Sequence, residues 1–183
     1  MHSPVTGSRG SATTSVRCVD VAALVAAAIL RKNPDAEVIP FNDRLVPIEL
    51  NPRDSVMTNA AKLAALPRGG TNCSAPLAHL NKRGAEGDMI VYVSDNQSWL
   101  DAANAMNQGT ATMVEWNRFK VRSPDARLVC IDLQPYGTTQ AKEREDILNV
   151  GGFSDQVFER IAEFGSGRLA GEHWMSVIES IEI

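Results

Sequence analysis

Asp88 to Trp99, reading Asp-Met-Ile-Val-Tyr-Val-Ser-Asp-Asn-Gln-Ser-Trp, is the stretch that most limits what this chain can become. Met89-Ile90-Val91-Tyr92-Val93 is an unbroken apolar run, rich in β-branched and aromatic side chains. A strand with no polar alternation needs cover on both faces, which points to a central strand of a parallel sheet. The run stops abruptly at Ser94-Asp95-Asn96. Ligands of open α/β sheets bind just beyond the carboxyl ends of the strands. Asp95 is placed at that edge, either as a ligand-binding carboxylate or as a solvated loop residue that starts the next segment.

The rest of the chain supplies the cover. Residues 1–15 are Gly, Ser, Thr and Pro with little to bury, and read as a flexible N-terminal loop. Residues 16–183 read as a single domain without internal repeats. Val16 to Arg31 predicts an alanine-rich helix, apolar nearly all round and therefore buried. It is stopped by Asn33-Pro34. Glu37–Phe41 and Arg44–Leu50 predict two strands joined at Asn42-Asp43, an antiparallel edge hairpin in which Pro40 and Pro47 restrict pairing. Ser55–Leu66 predicts a helix capped by Asp54 or Ser55, and Ala75–Lys82 another. Beyond the 89–93 strand, Leu100–Met106 is weakly helical and Thr110–Val121 more strongly so. Arg127–Leu133 and Asp146–Val150 read as strands, with Gln134–Gln140 a loop between them. Ser154 is a candidate cap for a helix over Asp155–Phe164, and Glu172–Ile183 is a closing amphipathic segment. Alternating helices and strands imply a three-layer α/β fold. One feature is odd: the buried opening helix has no strand before it.

Composition narrows the function. With 183 residues the chain is long enough for one domain with a real core. Its formal charge of −4 makes it a poor stand-alone nucleic-acid binder, because phosphate neutralisation supplies most non-specific affinity. Basic residues gather only weakly, at Lys82-Arg83 and at Arg118, Lys120 and Arg122. Cys18, Cys73 and Cys130 are odd in number and widely spaced, which argues for reduced thiols in a cytoplasm rather than a disulfide framework or zinc site. His2, His79 and His173 lack metal-ligand spacing. The apolar run Val21–Leu30 is too short to span a bilayer, and no convincing signal-peptide cleavage site follows it.

Gly69-Gly70-Thr71-Asn72-Cys73-Ser74 is a glycine-rich loop leading into a helix. Such a loop can cradle an anion. It lacks the Walker lysine and the GxGxxG pattern, and it reads equally well as a turn with Ser74 as the helix cap. In order along the chain, Gly-Gly-Thr-x-Cys-Ser, then Ile-Val-Tyr-Val-Ser-Asp-Asn-Gln-Ser-Trp, then Ile-Leu-Asn-Val-Gly-Gly-Phe-Ser resembles the von Willebrand factor A domain. More narrowly, it resembles the C-terminal domain of the Ro ribonucleoprotein family. The resemblance implies a three-layer, Rossmann-like α/β fold with a mostly parallel sheet. It also implies a metal-ion-dependent adhesion site, in which Thr71 matches the second-loop threonine and Asp95 the aspartate after the fourth strand. A hydroxyl and a carboxylate suit Mg²⁺ or another hard divalent cation, with an open position for an acidic group of a protein partner.

The sequence departs from the family in one respect. The Asp-x-Ser-x-Ser motif and the central first strand that carries it are absent, which accounts for the orphan first helix. The expectation is a truncated or mis-started form of a longer protein, or one whose strand comes from a sister fragment. Open strand edges and a weak, incomplete metal site would follow. The family's other half, a ring of helical repeats that binds small non-coding Y RNAs and the ends of misfolded RNAs, is also absent. The leading expectation is a non-enzymatic recognition domain of a Ro-type RNA-binding protein. An enzyme is the first alternative: a doubly wound hydrolase or phosphoryl-transfer enzyme with Cys73 as a nucleophile at a helix N-terminus and Asp95 as acid or metal ligand. A ligand-free structural remnant is the second.

Overall fold

A computed structural model describes residues 16–67, 69–94, 110–133, 144–152 and 156–166. In chain order the elements are α1 (Cys18–Lys32), α2 (Val56–Ala64), α3 (Ser74–Lys82), β1 (Met89–Ser94), α4 (Ala111–Lys120), β2 (Arg127–Asp132), β3 (Ile147–Gly151) and α5 (Gln156–Gly165). The three strands form one parallel sheet in the order β1-β2-β3, with Val91 opposite Val129 and Cys130 opposite Asn149.

Side-chain alternation sends the strands' residues into two apolar layers. Val91, Val93, Val129, Ile131, Leu148 and Val150 face α1 and α5, where Cys18, Ala22, Val25 and Phe164 complete the layer. Ile90, Tyr92, Leu128, Cys130 and Ile147 face α3 and α4, against Leu77, Trp116 and Phe119. The result is the expected three-layer α/β arrangement. α2 packs on α1 rather than on the described strands, with Ala60 and Leu63 against Ala23 and Ala27. That explains why α1 is apolar nearly all round: it is clasped between a sheet and a helix.

Local chemistry sets the helix ends. The Asp20 carboxylate accepts from the Arg17 backbone N–H (2.8 Å) at the start of α1, and Arg31 and Lys32 complement its carboxyl end. Ser55 Oγ accepts from the Thr58 N–H (3.0 Å) and Thr110 Oγ1 from the Met113 N–H (3.3 Å). Ser74 does not cap α3. The cap position is Cys73, and the Asn72 Oδ1 accepts from both the N–H (3.2 Å) and the Oγ–H (2.8 Å) of Ser74. Asx side chains commonly hold their own backbone two residues on.

Two expectations are corrected. The antiparallel edge hairpin over Glu37–Phe41 and Arg44–Leu50 is reduced to a turn with a single bridge between Phe41 and Leu45. The turn is closed by the Asn42 N–H on the Arg44 carbonyl (2.9 Å) and the Val46 N–H on the Pro40 carbonyl (2.9 Å). Pro40 and Pro47 have no N–H to offer a ladder, and no described strand lies alongside the segment to extend one. The 89–93 run is also not central among the described strands. β2 is, and four consecutive residues of it, Leu128 to Ile131, are buried, whereas Met89 of β1 is 36% exposed. Residues 1–15, Leu100–Met106, Gln134–Gln140, Ser154 and the closing segment Glu172–Ile183 lie outside the described residues.

A part-buried polar clamp joins α4 to the start of β3. The fully buried Trp116 donates its indole N–H to Asp146 Oδ2 (3.0 Å). Arg144 grips the same carboxylate through two bonds (2.8 and 2.9 Å), and the Lys120 ammonium stands 3.6 Å away. Asp146→Ala would strand the indole N–H inside the core, and a buried donor without a partner costs about 1–3 kcal/mol. Urea unfolding should show a loss of that size, with Asp146→Asn, which keeps an acceptor, losing less. Cys130, in the middle of β2, has its thiol pushed up to about 12, chiefly by burial, with Cys73 and Asp132 adding to it. The unfolded chain ionises this thiol at a lower pH, so the native state holds the extra proton between roughly pH 9 and 12 and stability falls as pH rises through that window. The fall is about 1.4 kcal/mol per pH unit for this group. Denaturant midpoints from pH 7.5 upward should decline less steeply in Cys130→Ala than in the parent chain.

Candidate functional site

The glycine loop lies at the carboxyl end of β1. The Tyr92 hydroxyl, near the end of the strand, donates to the Cys73 carbonyl (2.7 Å), clipping the loop to the sheet. The tyrosine ring also meets Phe41 edge-on, with centroids 5.8 Å apart. On the other flank the Asn72 N–H donates to the Asn42 carbonyl (2.7 Å), so the loop bridges β1 and the 41–45 turn. Gly69 is needed for that approach: a Cβ there would come within 2.8 Å of the Asn42 side chain. Thr71, held between these two anchors, is only 8% exposed.

The loop therefore brings Thr71 to the sheet edge at which β1 ends. Asp95 follows Ser94 directly in sequence and lies outside the described residues. Ser94 itself is fully buried, and its carbonyl accepts from the Leu133 N–H (2.9 Å). Among the described residues no group of three or more His, Cys, Asp or Glu side chains is placed to hold a metal ion. The described donors therefore do not by themselves fit a divalent cation, which needs further oxygen ligands beside the Thr71 hydroxyl.

Cys73 is 1% exposed. A thiol so enclosed cannot meet a substrate in this conformation. His79 stands in the last turn of α3, at the opposite end of the helix from Cys73, so it is not an adjacent base. His2 and His173 lie outside the described residues. Sequence reasoning missed the two residues that build the loop, Tyr92 and Asn72. Tyr92 left a faint signal, since a tyrosine inside an otherwise aliphatic strand brings a hydroxyl that must find a partner when buried.

A cavity of about 620 Å³ opens beside β1. One wall is β1 itself and the other is the segment from Ala36 to Asn42, while Gly70 and Thr71 close one part of the rim. Ala22, Ala23 and Ala26 of α1 line one side and Pro76 and Leu80 of α3 another.

Comparison with known proteins agrees with this fold. Residues 1–165 match the family model described as the Ro60 vWA domain. The RNA-binding protein RO60 of Deinococcus radiodurans is 25% identical over 166 residues, covering 85% of this chain and 30% of that protein. The crystal structure of the Deinococcus radiodurans RO (RSR) protein superposes with a TM-score of 0.70 at 22% identity, over 91% of this chain and 32% of the other. That likeness carries the fold. The chain thus spans about a third of the length of the relatives it matches. With most of its length inside the family model, the chain belongs to the Ro60 vWA domain family.

Proposed function

We propose that this chain serves as a non-enzymatic recognition domain of a Ro-type RNA-binding protein, with an incomplete divalent-cation site at Thr71 and Asp95. The observation that carries the reading is the clip between Tyr92 and the Cys73 carbonyl, which fixes the Thr71 loop at the carboxyl end of β1. Hydroxyl and carboxylate ligands from separate strand ends are the donors a Mg²⁺ site uses, with open positions left for water and an acidic group of a protein partner. Non-coding RNA would be bound by the helical-repeat half of such a protein, and this domain, with its net charge of −4, would contribute little to that contact. No helix among the described residues is long and apolar enough to cross a membrane, and the proposed setting is the cytoplasm.

In the enzyme alternative the nucleophile would be Cys73, which is enclosed in this conformation. The remnant alternative differs from the leading one in what metal does. The chain as it stands should show no change in thermal stability with millimolar Mg²⁺ or Mn²⁺. Supplying an Asp-x-Ser-x-Ser strand ahead of α1 should restore binding, stabilising the fold by about 2.7 kcal/mol at a hundredfold excess over the dissociation constant. Thr71→Ala and Asp95→Ala should each reduce that gain. A folded, strand-restored protein indifferent to both metals would leave the structural remnant standing.

A further inference from the structure

We propose that Cys73 and Cys130 form a peroxide-sensitive dithiol whose disulfide locks the Thr71 loop to the sheet. The link itself needs no metal; only its consequence for a partner at Thr71 rests on the function proposed above. The chain holds three cysteines, all reduced and all buried. The sheet sorts them by face. Cys18 lies in the layer of α1 and α5, with Val129 and Ile131. Cys130 points the other way, into the layer of Tyr92, Leu77 and Trp116. Cys73 borders that second layer at the start of α3, the helix that places Leu77 in it. Tyr92 ties the two positions together. It is the register partner of Cys130 across the β1–β2 ladder, and its hydroxyl donates to the Cys73 carbonyl (2.7 Å). The Cys130 thiol also feels the charge of Cys73, which adds to burial in holding its proton. Two sulfurs thus share one side of the sheet, with Cys73 1% and Cys130 2% exposed.

The two cysteines differ in how firmly they are held. Cys130 sits on β2, which is paired on both sides. Cys73 ends a loop secured by the Tyr92 hydroxyl and by the Asn72 N–H on the Asn42 carbonyl (2.7 Å). Such bonds are light restraints, so the loop opens far more often than the middle of the sheet. Opening exposes Cys73 to a peroxide while Cys130 stays inside. The O–O bond breaks as one oxygen passes to the Cys73 sulfur, giving a sulfenic acid and the first water. When the loop closes, the Cys130 sulfur attacks the Cys73 sulfur. The S–O bond breaks, and the oxygen leaves as the second water with the Cys130 proton. The pair of thiols gives up two protons and two electrons, and the peroxide takes them. Cytosolic disulfides, where they occur, are mostly transient and redox-sensing, and this one would be of that kind. A hydrogen-bonded clip then becomes a covalent one, and Thr71 can no longer leave the sheet edge.

The test treats the full chain with hydrogen peroxide in metal-free buffer, alkylates the remaining thiols in urea and maps the digest by mass. The expected product joins the Cys73 and Cys130 peptides, lighter by two hydrogens, and leaves Cys18 alkylated. Peroxide added after unfolding in urea should lose that selectivity. Links to Cys18 as frequent as the Cys73–Cys130 link, or sulfinic acid at Cys73 without any link, would overturn the pairing. Two further readouts test the lock. In the linked chain the amides of Asn72 and Ser74 should exchange at least about tenfold more slowly than in the reduced chain. Unchanged exchange there would overturn the lock. Tyr92→Phe keeps the ring and removes the clip, so the link should form about fivefold faster, the worth of one net hydrogen bond. An equal rate would overturn the loop as the gate. None of these readouts involves a metal, so their failure is distinct from failure of the Thr71–Asp95 site.

Discussion

The structure depends on the parallel ladder between β1 and β2. Parallel strands need both faces covered, because their connections carry helices across the sheet. That requirement places α1 and α5 on one side, α3 and α4 on the other, and makes the middle of β2, Leu128 to Ile131, a buried apolar run. It also fixes direction. With the three described strands running one way, their carboxyl ends lie on one edge. The Thr71 loop reaches that edge by a different route, from α2 into α3, and is secured to it by Tyr92 and Asn72.

Much of this was legible in the sequence. The Met89–Val93 run has the uninterrupted apolar character of a doubly covered strand, Arg127–Leu133 was readable as another strand, and the two are paired in parallel. The cap of α2 was read as Asp54 or Ser55, and it is Ser55, a short hydroxyl side chain before an apolar helical face. The interest in Thr71 came from family resemblance rather than from any property of the loop itself. Glycines before a helix mark a turn of many kinds.

What could not be read lies in contacts distant along the chain. The hairpin expectation rested on local alternation and a turn signal at Asn42-Asp43. The turn formed, but strands need a neighbour, and the sequence between Glu37 and Leu50 does not say which strand would stand beside it. In the same way an apolar run announces that a strand is covered above and below, yet carries no information about whether it is paired on its left and right. Hence β1 was expected at the centre and stands at the edge of the described sheet. Cys73 looked reactive from its position before a helix; only the packed structure shows it enclosed beneath the loop with its carbonyl engaged by Tyr92.

The central claim is that, among the described residues, β1 is bonded on one side and open on the other. Native-state amide hydrogen exchange on the chain alone tests it most directly, since exchange reports hydrogen-bond opening residue by residue. The account predicts alternation along a single strand: Ile90 and Tyr92 protected together with the amides of β2, and Met89, Val91 and Val93 exchanging faster by about a hundredfold or more. Uniform strong protection from Met89 through Val93 would contradict it, because it would mean that the outer edge of β1 is already paired.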